Sequence, residues 1–133
     1  RRGADSIVIA GTENDGRPPF PCKADYRKAL HGISPQSFVI MMQHDPSAWR
    51  RHILPQCTAQ LTLSGHTHGG QVRVFGVAPA LNSHYGNRFI TGLAYNSAKI
   101  PLIITNGIGT SKLPIRVGAP AEIIVITLHR LTE

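Results

Sequence analysis

Three short apolar runs in the first half of the chain constrain the fold more than any other feature. They are rich in β-branched or large apolar residues and end at Gly, Ser or a polar residue, in the ranges Ser6–Gly11, Ser37–Gln43 and Ala59–Ser64. Runs of this length and composition predict buried strands. Because helix-forming stretches separate them, the order predicts an α/β fold with neighbouring strands parallel.

Two helices are predicted between these strands. The first is Lys23–Gly32, which its own glycine ends. The second follows Asp45 and Pro46 and continues to Pro55, because Asp is a favourable N-cap and Pro suits the first helical turn. Trp49 on this helix is predicted to be a packing anchor.

The second half of the chain has a different character. Four strand-like runs are separated by Gly, Pro, Asn and Ser, with no convincing helix between them: "GQVRVFG", "RFITGLAY", "PLIITNG" and "AEIIVITL". This pattern predicts a β-rich layer.

Composition limits the class of protein. The 133 residues suffice for one domain, and 41% hydrophobic with 16% charged residues indicates a folded globular chain. The net charge of +7 suits nucleic acid, anionic lipid or a phosphorylated substrate, but the charges are scattered, which favours an ordinary solvated surface and leaves nucleic acid open. Cys22 and Cys57 form no CxxC pair, so disulfide and free thiols both stay open.

Histidines stand where two of the predicted strands end. His44 follows the second strand, and His66 and His68 follow the third within "GHTHGG". Ligands bind at the carboxyl ends of strands in α/β sheets, so three imidazoles are predicted to converge on one rim. Such a nitrogen site suits Zn, Fe, Mn, Co or Ni.

The spacing of this turn supports the metal hypothesis. On an extended segment, both side chains of His-x-His start on the same face. Gly65 would permit a sharp turn, and Gly69 and Gly70 would leave room for substrate, which makes them candidate substrate-binding residues. The remaining histidines are interpreted as ordinary surface or core residues: His31, His52, His84 and His129.

Two motifs carry a resemblance to a known family. "GHTHGGQ" at Gly65–Gln71, preceded by "IMMQHDP", and "NGIGTSKLPIR" at Asn106–Arg116 resemble the C-terminal half of the bacterial calcineurin-like metallophosphoesterases. The resemblance implies a layered α/β-β/α sandwich, here incomplete, in which residues 1–133 are the C-terminal portion of a single domain. It also implies hydrolysis of phosphate mono- or diesters by a hydroxide that two divalent metal ions activate.

The resemblance assigns the histidines as well. His44 and His66 would ligate the second metal and His68 the first. Some relatives carry membrane segments or export signals, so the resemblance leaves membrane association or export open.

Three other segments of the family have no counterpart in this chain. They are Asp-x-His, Gly-Asp-x-x-Asp and Gly-Asn-His; "YGNRF" at Tyr85–Phe89 does not substitute, because Arg88 stands where His is required. The chain alone is therefore expected to be inactive, to need the missing N-terminal half, and to self-associate through exposed sheet edges. The alternative is a non-catalytic module that binds a metal or an anionic partner.

Overall fold

A single mixed sheet organises the part of the chain that the computed structural model describes, residues 5–16, 18–79 and 89–130. Its strands are β1 (Ile7–Gly11), β2 (Phe38–Met42), β3 (Leu61–Ser64), β4 (Gly92–Tyr95) and β5 (Pro101–Ile104). Their order is β1-β2-β3-β5-β4. All pair in parallel except β4, which is antiparallel to β5. The α/β prediction with parallel neighbouring strands is confirmed.

The first helix, α1 (Tyr26–Ala29), is shorter than predicted. Asp25 caps it by accepting a hydrogen bond from the Lys28 amide at 2.9 Å. The Lys23 amide instead donates to the Asn14 carbonyl at 3.1 Å, which holds the segment before the cap in a loop. The predicted helix therefore loses its beginning to that loop contact.

The second helix begins close to the predicted place. The Asp45 carboxylate accepts from the Ser47 amide at 2.8 Å and starts the turn. A π-helical segment, Trp49–Ile53, then continues as α2 (Leu54–Gln56). None of the described helices has the length and apolar character that crossing a membrane requires.

One face of the sheet carries the hydrophobic core. Val39 and Met41 of β2 and Leu102 and Ile104 of β5 lie on this face, packed against the two helical segments. Trp49 is 1% exposed, which confirms it as a packing anchor. Burying apolar side chains against the sheet is the main stabilising contribution here.

The opposite face is only partly covered. Side chains alternate along a strand, so Ile7 and Ile9 of β1 point away from the core, and Ile9 is 69% exposed. Phe38 and Met42 of β2 are exposed in the same way. Among the described residues, the C-terminal residues 128–130 line a cavity on this face together with Ile7 and Phe38.

The last predicted strand, "AEIIVITL", is not a strand in the described residues. It has no ladder partner there, so the prediction was wrong for the isolated chain. Its side chains nevertheless alternate: Ile124 and Ile126 are 37% exposed and line a cavity of about 350 Å³ with Leu63 and Ile103, whereas Val125 is 88% exposed. The segment runs beside the sheet without joining it.

Two further strand predictions need correction. "GQVRVFG" forms only isolated bridges, Val72 with Val117 and Val74 with Val77. Of "RFITGLAY", only Gly92–Tyr95 is a strand, and Arg88 lies outside the described residues. Because β4 and β5 join the first sheet, the described second half forms no separate β-rich layer.

Candidate metal centre

Two of the three predicted ligands meet at the carboxyl edge of the sheet. His44 follows β2 and His66 follows β3, and these strands are parallel neighbours. His44 Nε2 and His66 Nδ1 are 2.9 Å apart, and their rings meet edge to face with centroids 4.6 Å apart. Both residues are exposed, so an ion can reach the pair from solvent.

The spacing of these nitrogens is close to that of two ligands on one metal. Tetrahedral Zn with Zn–N bonds near 2.05 Å places two ligand nitrogens about 3.3 Å apart. At 2.9 Å the imidazoles share a hydrogen bond, so one ring donates and the other accepts. An opening of about 0.4 Å would convert this pair into two metal donors.

The histidine turn is not extended. His66 and His68 have φ of 69° and 52°, with Thr67 in right-handed helical conformation between them. The turn closes because the Thr67 amide donates to the Gly65 carbonyl at 2.8 Å and the Gly70 amide to the Thr67 carbonyl at 2.7 Å. The argument that His-x-His shares one face of an extended segment was therefore wrong. Gly65 also has no positive φ, since His66 takes the left-handed conformation instead.

His68 does not form a common metal-binding group with the pair among the described residues. In the described part of the chain, no three His, Cys, Asp or Glu side chains come together in a way that could hold a metal ion. His68 Nδ1 is buried and has no hydrogen-bond partner. A buried polar atom without a partner costs about 1–3 kcal/mol, so this nitrogen favours binding an additional group.

Gly69 and Gly70 are required by packing within the chain. Both are buried and have positive φ, 64° and 82°. A Cβ on Gly69 would overlap the Asn106 side chain, and one on Gly70 would overlap Ala78. Their substrate-binding role stays a prediction, since the space beside them is filled by protein.

The buried Thr67 side chain anchors the histidine turn to the rest of the protein. It is 3% exposed, and its hydroxyl donates to the Ile90 carbonyl at 2.5 Å and accepts from the Gly69 amide at 3.4 Å. The hydroxyl between the two histidines is therefore committed to hydrogen bonds within the protein.

Gln43 is a site residue that the sequence did not reveal. Its side chain is buried. The Oε1 accepts a hydrogen bond from the His44 amide at 2.6 Å, and the Nε2 donates one to the Tyr26 hydroxyl at 2.8 Å. It thereby fixes the backbone of His44 at the strand end. A glutamine before His is a weak signal in sequence, because its partner Tyr26 is distant along the chain.

A separate polar cluster explains His52. Its Nε2 lies 3.4 Å from Asp15 Oδ2, which also pairs with Arg51 at 2.9 Å, and its ring stacks on Tyr26 with centroids 5.7 Å apart. Cys22 donates to Asp15 at 3.1 Å, and both cysteines are free thiols. These contacts agree with the interpretation of His52 as a structural residue.

The donors present fit part of a divalent-metal site. Neutral imidazoles bind borderline metals well, and paired histidines at a strand edge supply two such donors. The third, His68, has a buried nitrogen without a partner. The described chain is thus an α/β protein whose sheet carries two contacting imidazoles at its carboxyl edge.

Comparison with known proteins finds similarity to proteins named metallophosphoesterases. The chain is 34% identical over 104 residues to the uncharacterized metallophosphoesterase YkuE of Bacillus subtilis, covering 78% of this chain and 35% of that protein. It is 30% identical over 124 residues to an uncharacterized metallophosphoesterase of Aquifex aeolicus, covering 92% and 45%. A transmembrane protein with metallophosphoesterase domain from Bos taurus is 35% identical over 105 residues, covering 79% and 23%. Over most of its length the chain is therefore similar to proteins named metallophosphoesterases.

The extent of these matches defines what they cover. The chain spans less than half the length of each of these three relatives. No family model and no solved structure matches it.

Proposed function

We propose that this chain supplies the histidine side of the active centre of a metal-dependent phosphoesterase acting on phosphate mono- or diesters. One observation carries the proposal. His44 Nε2 and His66 Nδ1 lie 2.9 Å apart at the ends of adjacent parallel strands, in a chain homologous to metallophosphoesterases.

The three histidines would be divided between two metal ions. His44 and His66 would hold one divalent ion and His68 a second, whose identity among Mn, Fe, Zn, Co and Ni is left open. Two such ions supply Lewis-acid activation of water and neutralise charge on the phosphate. Imidazoles suit this task because they bind a cation without cancelling its charge. The Gln43 side chain would contribute by holding the His44 backbone in place.

The remaining ligands are proposed to come from outside this chain. A two-metal centre needs a bridging group, and none of the described carboxylates joins the histidine pair in a metal-binding cluster. The part of the relatives that this chain does not match is the expected source of these ligands. The chain alone would then be inactive.

The partly covered face of the sheet also supports the proposal that another part of the protein completes the domain. Ile9 is 69% exposed and the C-terminal segment has no ladder partner in the described residues. We propose that the missing part of the domain covers this face. Without it, copies of the chain would associate through the exposed edge and apolar surface.

A hydrolysis assay tests the proposed function. The longest natural polypeptide containing this chain is assayed with p-nitrophenyl phosphate and its bis ester, with Mn²⁺ and with EDTA. His44→Ala and His66→Ala should each lower kcat/KM at least 100-fold, whereas His31→Ala, an exposed histidine away from the site, should not. EDTA should abolish turnover, and this chain alone should show none.

Two outcomes would contradict the proposal. Turnover that survives EDTA or both histidine substitutions would place the chemistry elsewhere. Metal binding at the histidines without hydrolysis of any phosphate ester would favour a non-catalytic metal-binding module.

A further inference from the structure

The two family-like motifs are joined by the side chain of Gln71. Its Nε2 donates to the carbonyls of Ser111 and Leu113 at 3.0 and 2.8 Å, and its Oε1 accepts from the Ser111 amide at 2.8 Å. Gln71 has a φ of 54°, a strained conformation for a residue other than glycine. The last residue of "GHTHGGQ" thus hydrogen-bonds to the backbone in the middle of "NGIGTSKLPIR".

Arg116 makes a second connection between the same motifs. Its half-buried guanidinium donates to the His68 carbonyl at 3.0 Å and the Ala119 carbonyl at 3.0 Å. It also donates to the carbonyls of Asn106 at 2.8 Å, Gly107 at 3.3 Å and Gly109. The Arg116 side chain therefore binds the histidine turn as well as residues at the start and just after the end of the Asn106–Arg116 segment.

These contacts occupy the guanidinium nitrogens that would otherwise bind a substrate phosphate. Arginine has five N–H donors, and the three nitrogens of Arg116 are all engaged with carbonyl oxygens. Binding a phosphate bidentately would require breaking contacts with the loop. The geometry therefore favours a positioning role over a phosphate clamp.

The backbone supports this connection at one end only. The Val117 amide donates to the Gln71 carbonyl at 2.9 Å, and the Arg73 amide donates to the Val117 carbonyl at 2.8 Å. The rest of the loop, from Gly107 to Leu113, is mostly exposed. Its link to His68 consequently depends on side chains.

We propose that Arg116 and Gln71 are positioning residues that couple the loop Asn106–Val117 to the His68 turn, so that loop and turn form one rigid unit. Arg116 holds the His68 carbonyl while the left-handed φ of 52° directs the imidazole. The consequence for metal binding rests on the proposed function. A loosened loop would release His68 and weaken its ion, and the effect would pass through the backbone.

Hydrogen–deuterium exchange of the metal-free protein tests the coupling directly. In Arg116→Lys, exchange should accelerate at least tenfold in both Gly65–Val72 and Asn106–Val117, because an ammonium cannot span carbonyls of three segments. Arg73→Lys is the matched control. The Arg73 guanidinium also donates to a carbonyl, that of Gly76 at 2.8 Å, which belongs to its own turn, and Lys at this position keeps the backbone bond to Val117.

Visible absorption of bound Co²⁺ gives a spectroscopic readout of the ligand turn. Arg116→Lys and Gln71→Ala should weaken Co²⁺ binding about tenfold and change the band shape, as loss of groups that orient ligands does. Arg73→Lys should leave both unchanged. Thermal unfolding of the same variants separates this effect from a general loss of stability.

The outcomes distinguish this inference from the proposed function. If Arg116→Lys loosens the loop while exchange in the His68 turn stays as in wild type, the coupling is overturned. If wild-type protein binds no Co²⁺, the proposed function fails, and the exchange experiment still decides whether loop and turn are coupled.

Discussion

At the residue scale, the histidine turn concentrates backbone strain. His66, His68 and Gln71 all have φ between 52° and 69°, where side chains other than glycine cost roughly 1 kcal/mol each. Strain of this kind persists where surrounding contacts enforce it, and it is frequent at functional sites. Here Thr67 and Arg116 provide such contacts, since they bind the turn from two sides.

Gly69 and Gly32 separate the two reasons for glycine at positive φ. Both have left-handed φ, 64° and 75°, but a Cβ on Gly69 would overlap Asn106, whereas a Cβ on Gly32 would meet nothing. Gly32→Ala should lower the free energy of unfolding by about 1 kcal/mol from backbone strain alone. Gly69→Ala should lower it by about 3 kcal/mol, since steric displacement adds to the strain. Urea unfolding measures both, and equal losses would show that packing against Asn106 is unimportant.

The meeting of His44 and His66 was predictable from residue positions. Both follow apolar runs that form neighbouring parallel strands, and carboxyl ends of such strands share one edge. The place of His68 was not predictable. It depends on the φ values of a turn in which histidine, not Gly65, adopts the left-handed conformation.

At the element scale, short apolar runs predicted the four parallel strands but not every strand-like segment. "AEIIVITL" has the alternation of a strand, yet it pairs with no strand in the described part of the chain. Alternation reports that one face is covered, and it does not identify which segment pairs. The helix α1 was overestimated because its first predicted turn binds the Asn14 loop.

The burial of Tyr26 on α1 makes stability depend on pH. Burial raises the pKa of Tyr26 from 10.0 to about 12, against the lowering effect of the Gln43 hydrogen bond. The folded state therefore keeps a proton that the unfolded state loses, so this stabilisation is complete below pH 10 and declines as pH rises toward 12. The loss should approach about 3 kcal/mol.

Tyr26→Phe is the matched variant for this pH dependence. Urea unfolding at pH 9, 10 and 11 should show wild type losing more stability than Tyr26→Phe across that range. Parallel curves for the two proteins would show that Tyr26 does not titrate between pH 9 and 11 in either state.

At the scale of the whole molecule, one sheet presents a packed face and a face that the described residues cover only in part. The packed face carries the helices, and the carboxyl edge carries the histidine pair. The chain matches less than half of each reported relative, which agrees with a site that has imidazoles but no clustered carboxylates in its described residues. Fold class and the similarity to metallophosphoesterases were readable from sequence, whereas the predicted convergence of three histidines is not found among the described residues.

Metal stoichiometry is the most direct measurement of the central claim. Elemental analysis of the longest natural polypeptide containing this chain should give about two equivalents of a divalent transition metal. His66→Ala should lose about one equivalent, and His31→Ala should lose none. An unchanged metal content in His66→Ala, or no metal in the wild type, would contradict the assignment of the histidine pair as a metal site.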